Sequence, residues 1–219
     1  MELELHQFST FKIYQPKDGY RFAIEPFVLA YNLKGLKSKV FVDFGSGCGI
    51  VAVLLAKNNP ESRIIAIEKN QNMIEVIKKN IQINGLCNVS VLEIEDVLTN
   101  SVDFFISNPP YFKKGAYRIS KFIDEKFEED GFLDFMIKSA RRVLKNKGIL
   151  KVSYHPTRFV ELLEVLRKSG FGIKSILPVY GNDKSKASFL VVNAMLSGKD
   201  YVEFLPALFL NRDSSWLIM

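Results

Sequence analysis

From residue 40 onward, short apolar, β-branched runs alternate with longer stretches in which apolar residues recur every three or four positions. The short runs "VFVDF" (40–44), "RIIAIE" (63–68), "VSVLEI" (89–94), "DFFIS" (103–107) and "GILKVSY" (148–154) predict strands. The stretches between them predict helices: "GIVAVLLAKNN" (49–59), "QNMIEVIKKNIQIN" (71–84), "FLDFMIKSARRVLKNK" (132–147) and "TRFVELLEVLRKS" (157–169). Gly85 follows the second of these as the residue type best suited to the left-handed conformation past a helix end, and Thr157 is expected to N-cap the last. Such alternation predicts an α/β fold with a parallel sheet covered on both faces. "FGIKSILPVY" (171–180) and "ASFLVVNAML" (187–196) are separated only by "GNDKSK", too short for a crossover helix, so these strands should be antiparallel neighbours. Residues 1–38 read as an extension feeding a helix in "PFVLAYNLKGL", and 197–219 as a tail on the sheet edge. A single domain, 1–219 with its core in 39–196, is expected.

A hydrophobic content of 47% over 219 residues supports a sizeable core. No N-terminal basic patch precedes an apolar run, and no segment approaches the roughly 18 apolar residues of a membrane span. A soluble, cytoplasmic protein without a membrane partner is expected. Cys48 and Cys87 are too few and too far apart for a zinc set or disulfide framework, so both are expected reduced and structural, and no metal is expected. The net charge of +6 would help a polyanion find the surface, with lysines clustered at Lys113–Lys114, 145–147 and Lys184/Lys186.

Two motifs carry the candidate chemistry. In "VFVDFGSGCGI" a strand runs through Asp43 into Gly45, Gly47 and Gly49 before a helix, so a ligand can approach the backbone at the carboxyl end of a central strand. A dinucleotide fingerprint needs Gly or Ala where Ile50 stands, and the Lys-Ser/Thr ending of a phosphate loop is missing. The Asp-x-Gly-x-Gly-x-Gly loop resembles that of class I S-adenosylmethionine-dependent methyltransferases. That resemblance implies a Rossmann-like, seven-stranded, mostly parallel sheet closed by a C-terminal antiparallel hairpin, with S-adenosylmethionine as cofactor. It implies that Glu68, 25 residues after Asp43, accepts both ribose hydroxyls, and that Asp96, or alternatively Glu95, meets the adenine amino group. Asp43 is expected to organise the loop as much as to bind, and Cys48 to pack. His6 is no convincing catalyst, and His155 is a candidate for the cleft mouth only.

The second motif is "SNPPY", at the end of the fourth strand. The nitrogen of an aromatic amine or amide is a poor nucleophile because its lone pair is delocalised. A site helps by accepting hydrogen bonds from both N–H groups, which stabilises the charge that develops on methylation. Asn108 and the Pro109 carbonyl can do this, and Asn108 should border the cofactor as well. Pro109 and Pro110 stiffen the turn, and Tyr111 offers a ring for stacking. The acceptor is thereby narrowed to adenine, guanine or a glutamine amide.

"YQPKDGYRFAIEPFVLA", "ISNPPYFKKG", "SYHPTRF" and "ASFLVVNAM" together are similar to the bacterial adenine-N6 methyltransferases that modify a valine tRNA. That resemblance implies tRNA as partner, Tyr20, Arg21 and Phe22 as a lid over the cofactor, and Asn108–Tyr111 around a flipped adenine. It makes Phe112, Lys113, Lys114 and Arg158 candidates for RNA contacts. The acidic "IDEKFEEDG" (123–131) departs from the family pattern. A glutamine-N5 protein methyltransferase of release factors, an rRNA guanine-N2 methyltransferase and a non-catalytic nucleotide- or RNA-binding protein stay open as alternatives.

Overall fold

The computed structural model describes residues 1–18, 22–110, 112–113, 127–128 and 131–212. Its first elements are an antiparallel hairpin, β1 (Leu3–Gln7) and β2 (Lys12–Pro16), and a short helix, α1 (Glu25–Ala30). The helix expected across 26–36 is thus six residues long and preceded by strands. Two asparagines explain the hairpin's seat. Asn80 accepts the Tyr14 N–H at 2.7 Å and donates to the Tyr14 carbonyl at 2.9 Å, while Asn84 accepts the Lys12 N–H at 2.9 Å and donates to its carbonyl. Two helix side chains thereby act as a further ladder partner for β2.

The core then runs β3 (Val40–Phe44), α2 (Ile50–Asn58), β4 (Arg63–Ile67), α3 (Gln71–Ile83), β5 (Val89–Leu92), β6 (Val102–Ser107), the two-residue strands β7 (Phe112–Lys113) and β8 (Phe127–Glu128), α4 (Phe132–Val143), β9 (Leu144–Tyr154), α5 (Phe159–Lys168), β10 (Phe171–Tyr180) and β11 (Ala187–Leu196). Two short tail strands, β12 (Glu203–Phe204) and β13 (Leu208–Phe209), pair with β10 at the sheet edge. The order is β12-β10-β11-β9-β6-β3-β4-β5, with β11 running against its neighbours. This is the expected parallel sheet with an antiparallel hairpin, seven main strands widened by the tail.

Helices α1, α2 and α3 cover one face together with the hairpin, and α4 and α5 cover the other. Every residue of α2 from Ile50 to Ala56 is buried, as its uninterrupted apolar sequence requires. Two boundaries differ from expectation. The helix expected to reach 147 stops at Val143, because Leu144 turns extended and β9 joins β6 there, with Lys145 Nζ held 3.0 Å from both Asp103 oxygens. Thr157 does not cap α5: its hydroxyl lies 2.7 Å from His155 Nδ1 inside a 3-10 turn (Pro156–Arg158), and the helix starts afterwards. Among the described residues no helix is long and apolar enough to cross a membrane.

One buried cation tests the packing. Lys151 on β9 is 6% exposed, and its Nζ donates to the Tyr31 carbonyl at the end of α1 at 2.8 Å. Burial pushes its ammonium down from 10.5 to about 7. Between those values the unfolded chain holds the proton and the folded chain does not, so stability rises with pH across that window, by at most about 1.4 kcal/mol per pH unit. Below pH 7 both states are protonated and the gain is absent. Chemical denaturation of the native chain from pH 7 to 10 should show this slope, and Lys151→Met should flatten it; an equal slope in the variant would contradict the assignment.

Candidate active site

From β3 the chain proceeds to β4 and β5 on one side of the sheet, whereas from β6 it proceeds to β9 on the other. This divergence opens a crevice beyond the carboxyl ends of β3 and β6. A cleft of ≈ 980 Å³ fills it.

Its floor is the glycine loop between β3 and α2. Gly45 and Gly47 have φ of +73° and +55°, conformations that exclude most side chains and leave bare backbone facing the cleft. Gly49 (φ +83°) serves a different purpose: it does not line the cleft but begins α2, and a Cβ there would stand 3.2 Å from Ile77 of α3. The loop is tied to β4, since the N–H groups of Gly45 and Ser46 both donate to the Ile67 carbonyl at 2.9 Å. Asp43, 1% exposed, accepts the Ala52 N–H at 3.1 Å, and burial pushes its carboxyl up to about 7. It therefore anchors the loop onto α2. Cys48 is buried, which pushes its thiol up to about 12; it is a packing residue, as expected.

Glu68, at the end of β4, is more heavily engaged than its position suggests. Its Oε2 accepts the Gly47 N–H at 2.8 Å, and its Oε1 accepts the N–H groups of Lys69 and Asn70, both at 2.9 Å. The carboxylate staples the glycine loop to the start of α3. Beyond β5, a 3-10 turn (Ile94–Asp96) points successive side chains in different directions: Ile94 and Glu95 line the cleft, whereas Asp96 is exposed outside it. Of the two acids expected to meet the adenine, Asp96 or alternatively Glu95, only Glu95 lines the cleft, with Glu93 beside it.

Opposite stand Asn108, Pro109 and Pro110, all lining the cleft, with Pro109 buried. Phe132 and Phe135, at the start of α4, complete this wall and pack against Phe44, with ring centroids 6.1 and 6.0 Å from it. Neither was singled out from the sequence; a helix-start aromatic pair reads locally as core. From the N-terminal segment Phe22 and Glu25 reach the same cleft. The Oε2 of Glu25 is buried and has no hydrogen-bond partner among the described residues.

The cleft thus joins Phe22, Asp43, Gly45, Gly47, Glu68 and Asn108–Pro110. Tyr20, Arg21, Tyr111 and Lys114 lie outside the described residues, and of Phe112 and Lys113 only the backbone pairing with β8 is described. Arg158 does not line the cleft: it pairs with Glu161 at 2.9 Å, its guanidinium lies over the Tyr154 ring, and its side chain is 12% exposed. His155 is likewise absent from the lining.

Residues 26–169 match the family described as methyltransferase small domain. A release factor glutamine methyltransferase of Flavobacterium psychrophilum is 30% identical over 175 residues, 72% of this chain and 61% of that protein. A tRNA1(Val) (adenine(37)-N6)-methyltransferase of Histophilus somni is 28% identical over 121 residues, 52% of this chain and 51% of that protein. The chain therefore spans between half and two thirds of the length of these two relatives. The crystal structure of M. jannaschii TYW2 in complex with AdoMet shares the fold, with a TM-score of 0.63 at 19% identity over 88% of this chain and 85% of that one.

Proposed function

We propose that this chain, which belongs to the methyltransferase small domain family, methylates the N6 amino group of an adenine in structured RNA, with tRNA as the partner. It is a methyltransferase with the Rossmann-like fold of its structural neighbours, and its cofactor is S-adenosylmethionine. The cleft fits that cofactor. Among the described residues its lining carries Asp18, Glu25, Asp43, Glu68, Glu93 and Glu95 against one lysine, Lys69. Such a wall suits a cationic ligand rich in hydroxyl and amino donors and repels the phosphates of a nucleotide triphosphate or dinucleotide. Gly45 and Gly47 keep side chains out of the way, and the Glu25 oxygen, without a hydrogen-bond partner among the described residues, offers an acceptor for an ammonium.

The observation that carries the reading is the position of the Asn108–Pro110 turn in the same cleft as the glycine loop. When bound, S-adenosylmethionine supplies a methyl group on a sulfonium, which leaves as a neutral thioether. The chain supplies the rest: Asn108 Oδ1 and the Pro109 carbonyl accept the acceptor's N–H protons and favour the charge that develops on nitrogen. The prolines hold these oxygens at fixed distance. Phe132 and Phe135 give a flat substrate an apolar wall.

Two observations support RNA as the acceptor. The similarity to the tRNA methyltransferase of H. somni is one. The other is charge placement: the cleft is acidic, yet the chain carries +6 overall, and the exposed Lys184 and Lys186 of the β10–β11 loop sit at the same end of the sheet as Asn108. Two strand spacings, about 10 Å, separate β11 from β6. Phosphates can therefore rest on the rim while a base enters. A glutamine side chain of a release factor is the second reading, favoured by the F. psychrophilum relative and others of the same description. Incubation with methyl-labelled cofactor, unmodified bulk tRNA and release factors in separate reactions should label the tRNA, with N6-methyladenosine in its digest. Label on the release factors alone would replace RNA by glutamine, and label in neither would remove the reading.

A further inference from the structure

Asn108 does not enter the cleft unsupported. Its Oδ1 accepts the hydroxyl proton of Ser153 on β9. β9 is parallel to β6 with Ser107 opposite Val152, so Ser153 stands one position further on, level with the start of the turn. Along β9, Leu150, Val152 and Tyr154 face the core shared with α4 and α5. Alternation turns Lys151 and Ser153 to the other face, toward α1 and the glycine-loop side. Ser153 is fully buried, and Val191 of β11 lies opposite it. An apolar side chain would serve packing better there, since a buried hydroxyl is tolerated only when bonded.

What the hydroxyl bonds to decides its role. The prolines fix the backbone of the turn but not the side-chain amide, whose last torsion is broad and two-fold. Resting on the methyl-transfer assignment above, we propose that Ser153 is a positioning residue: its hydroxyl donates to Asn108 Oδ1 and helps hold that oxygen toward the acceptor's N–H. Without the Ser153 donor the amide would more often rotate to present its own N–H₂ donors to an amino group that is itself a donor. Orientation of the reacting groups is lost, while the fold and the glycine-loop wall of the cleft, whose lining does not include Ser153, stay in place.

The test is a double-mutant cycle on the full chain, with unmodified bulk tRNA as methyl acceptor, or release factor if only that pool is labelled by the native protein. Ser153→Ala should lower kcat about tenfold, the value of one net hydrogen bond. The dissociation constant for S-adenosylmethionine should stay unchanged. In the Asn108→Ala background, Ser153→Ala should cost nothing further. Ser153→Cys, close in size and a weak donor, should recover part of the loss and serves if the alanine variant folds poorly. An equal loss of kcat in both backgrounds, or native kcat in Ser153→Ala, would overturn the proposal. Failure of the native chain to methylate either pool while binding the cofactor would instead strike the acceptor assignment on which it rests. A readout without turnover is the side-chain amide spectrum: the Asn108 N–H₂ pair, identified by its disappearance in Asn108→Ala, should shift in Ser153→Ala, and an unmoved pair would also overturn it.

Discussion

Replacing Asn108 by alanine should slow methyl transfer by about 10²–10³, the usual cost of removing one preorganised hydrogen-bonding group aimed at developing charge. Affinity for S-adenosylmethionine should survive, because the glycine loop and Glu68 beside it are held by bonds to Ala52, Gly47, Lys69 and Asn70 rather than by Asn108. The substitution also removes the buried hydrogen bond from the Ser153 hydroxyl, so a loss of about 0.5–1.5 kcal/mol in stability is expected alongside. Asn108→Asp separates the two effects. It keeps oxygen acceptors for Ser153 and for an incoming N–H, but loses the amide donor. If Asn108 acts as an acceptor, the aspartate variant should turn over faster than the alanine one. Equal turnover of Asn108→Ala and the native chain at saturating cofactor would remove Asn108 from the chemistry.

What the sequence disclosed about this site follows from how local each signal is. β3, β10 and β11 were legible to the residue because alternating apolar positions and the short GNDKSK loop are properties of contiguous segments. The glycine loop and the Asn108 turn were legible for the same reason. The N-terminal hairpin was not, because it is held by Asn80 and Asn84, which lie 66 and 72 positions away from their backbone partners. No periodicity in residues 1–18 announces those bonds. The end of α4 was misplaced because tertiary pairing with β6 overrode the local helical preference of 144–147. Glu95 and Asp96 are neighbours, and only the 3-10 turn decides which of them meets the cleft. Glu25, Phe132 and Phe135 read as ordinary helix-start residues until the fold brings them to the crevice.

Glu68 carries the second large expected effect, and the structure changes what that effect should be. A residue that only accepts ribose hydroxyls could be replaced by glutamine with little consequence for the cofactor-free protein. Here three of the carboxylate's roughly four lone-pair sites are already used by backbone N–H groups of Gly47, Lys69 and Asn70. An amide has one oxygen, and its N–H₂ would face a backbone donor, so Glu68→Gln must break at least one of these bonds. The cofactor-free variant should lose about 1–3 kcal/mol of stability. Its glycine loop, released from α3, should bind S-adenosylmethionine roughly 10- to 100-fold more weakly, the range expected for a hydrogen bond to a charged group. Denaturant melts without cofactor and equilibrium dialysis with it measure the two separately. Weakened binding with an unchanged melt would return Glu68 to a purely ligand-facing role. A lowered melt with unchanged binding would make it a staple alone. The geometry requires both to move together, because the oxygen that holds Gly47 belongs to the carboxylate that borders the cleft.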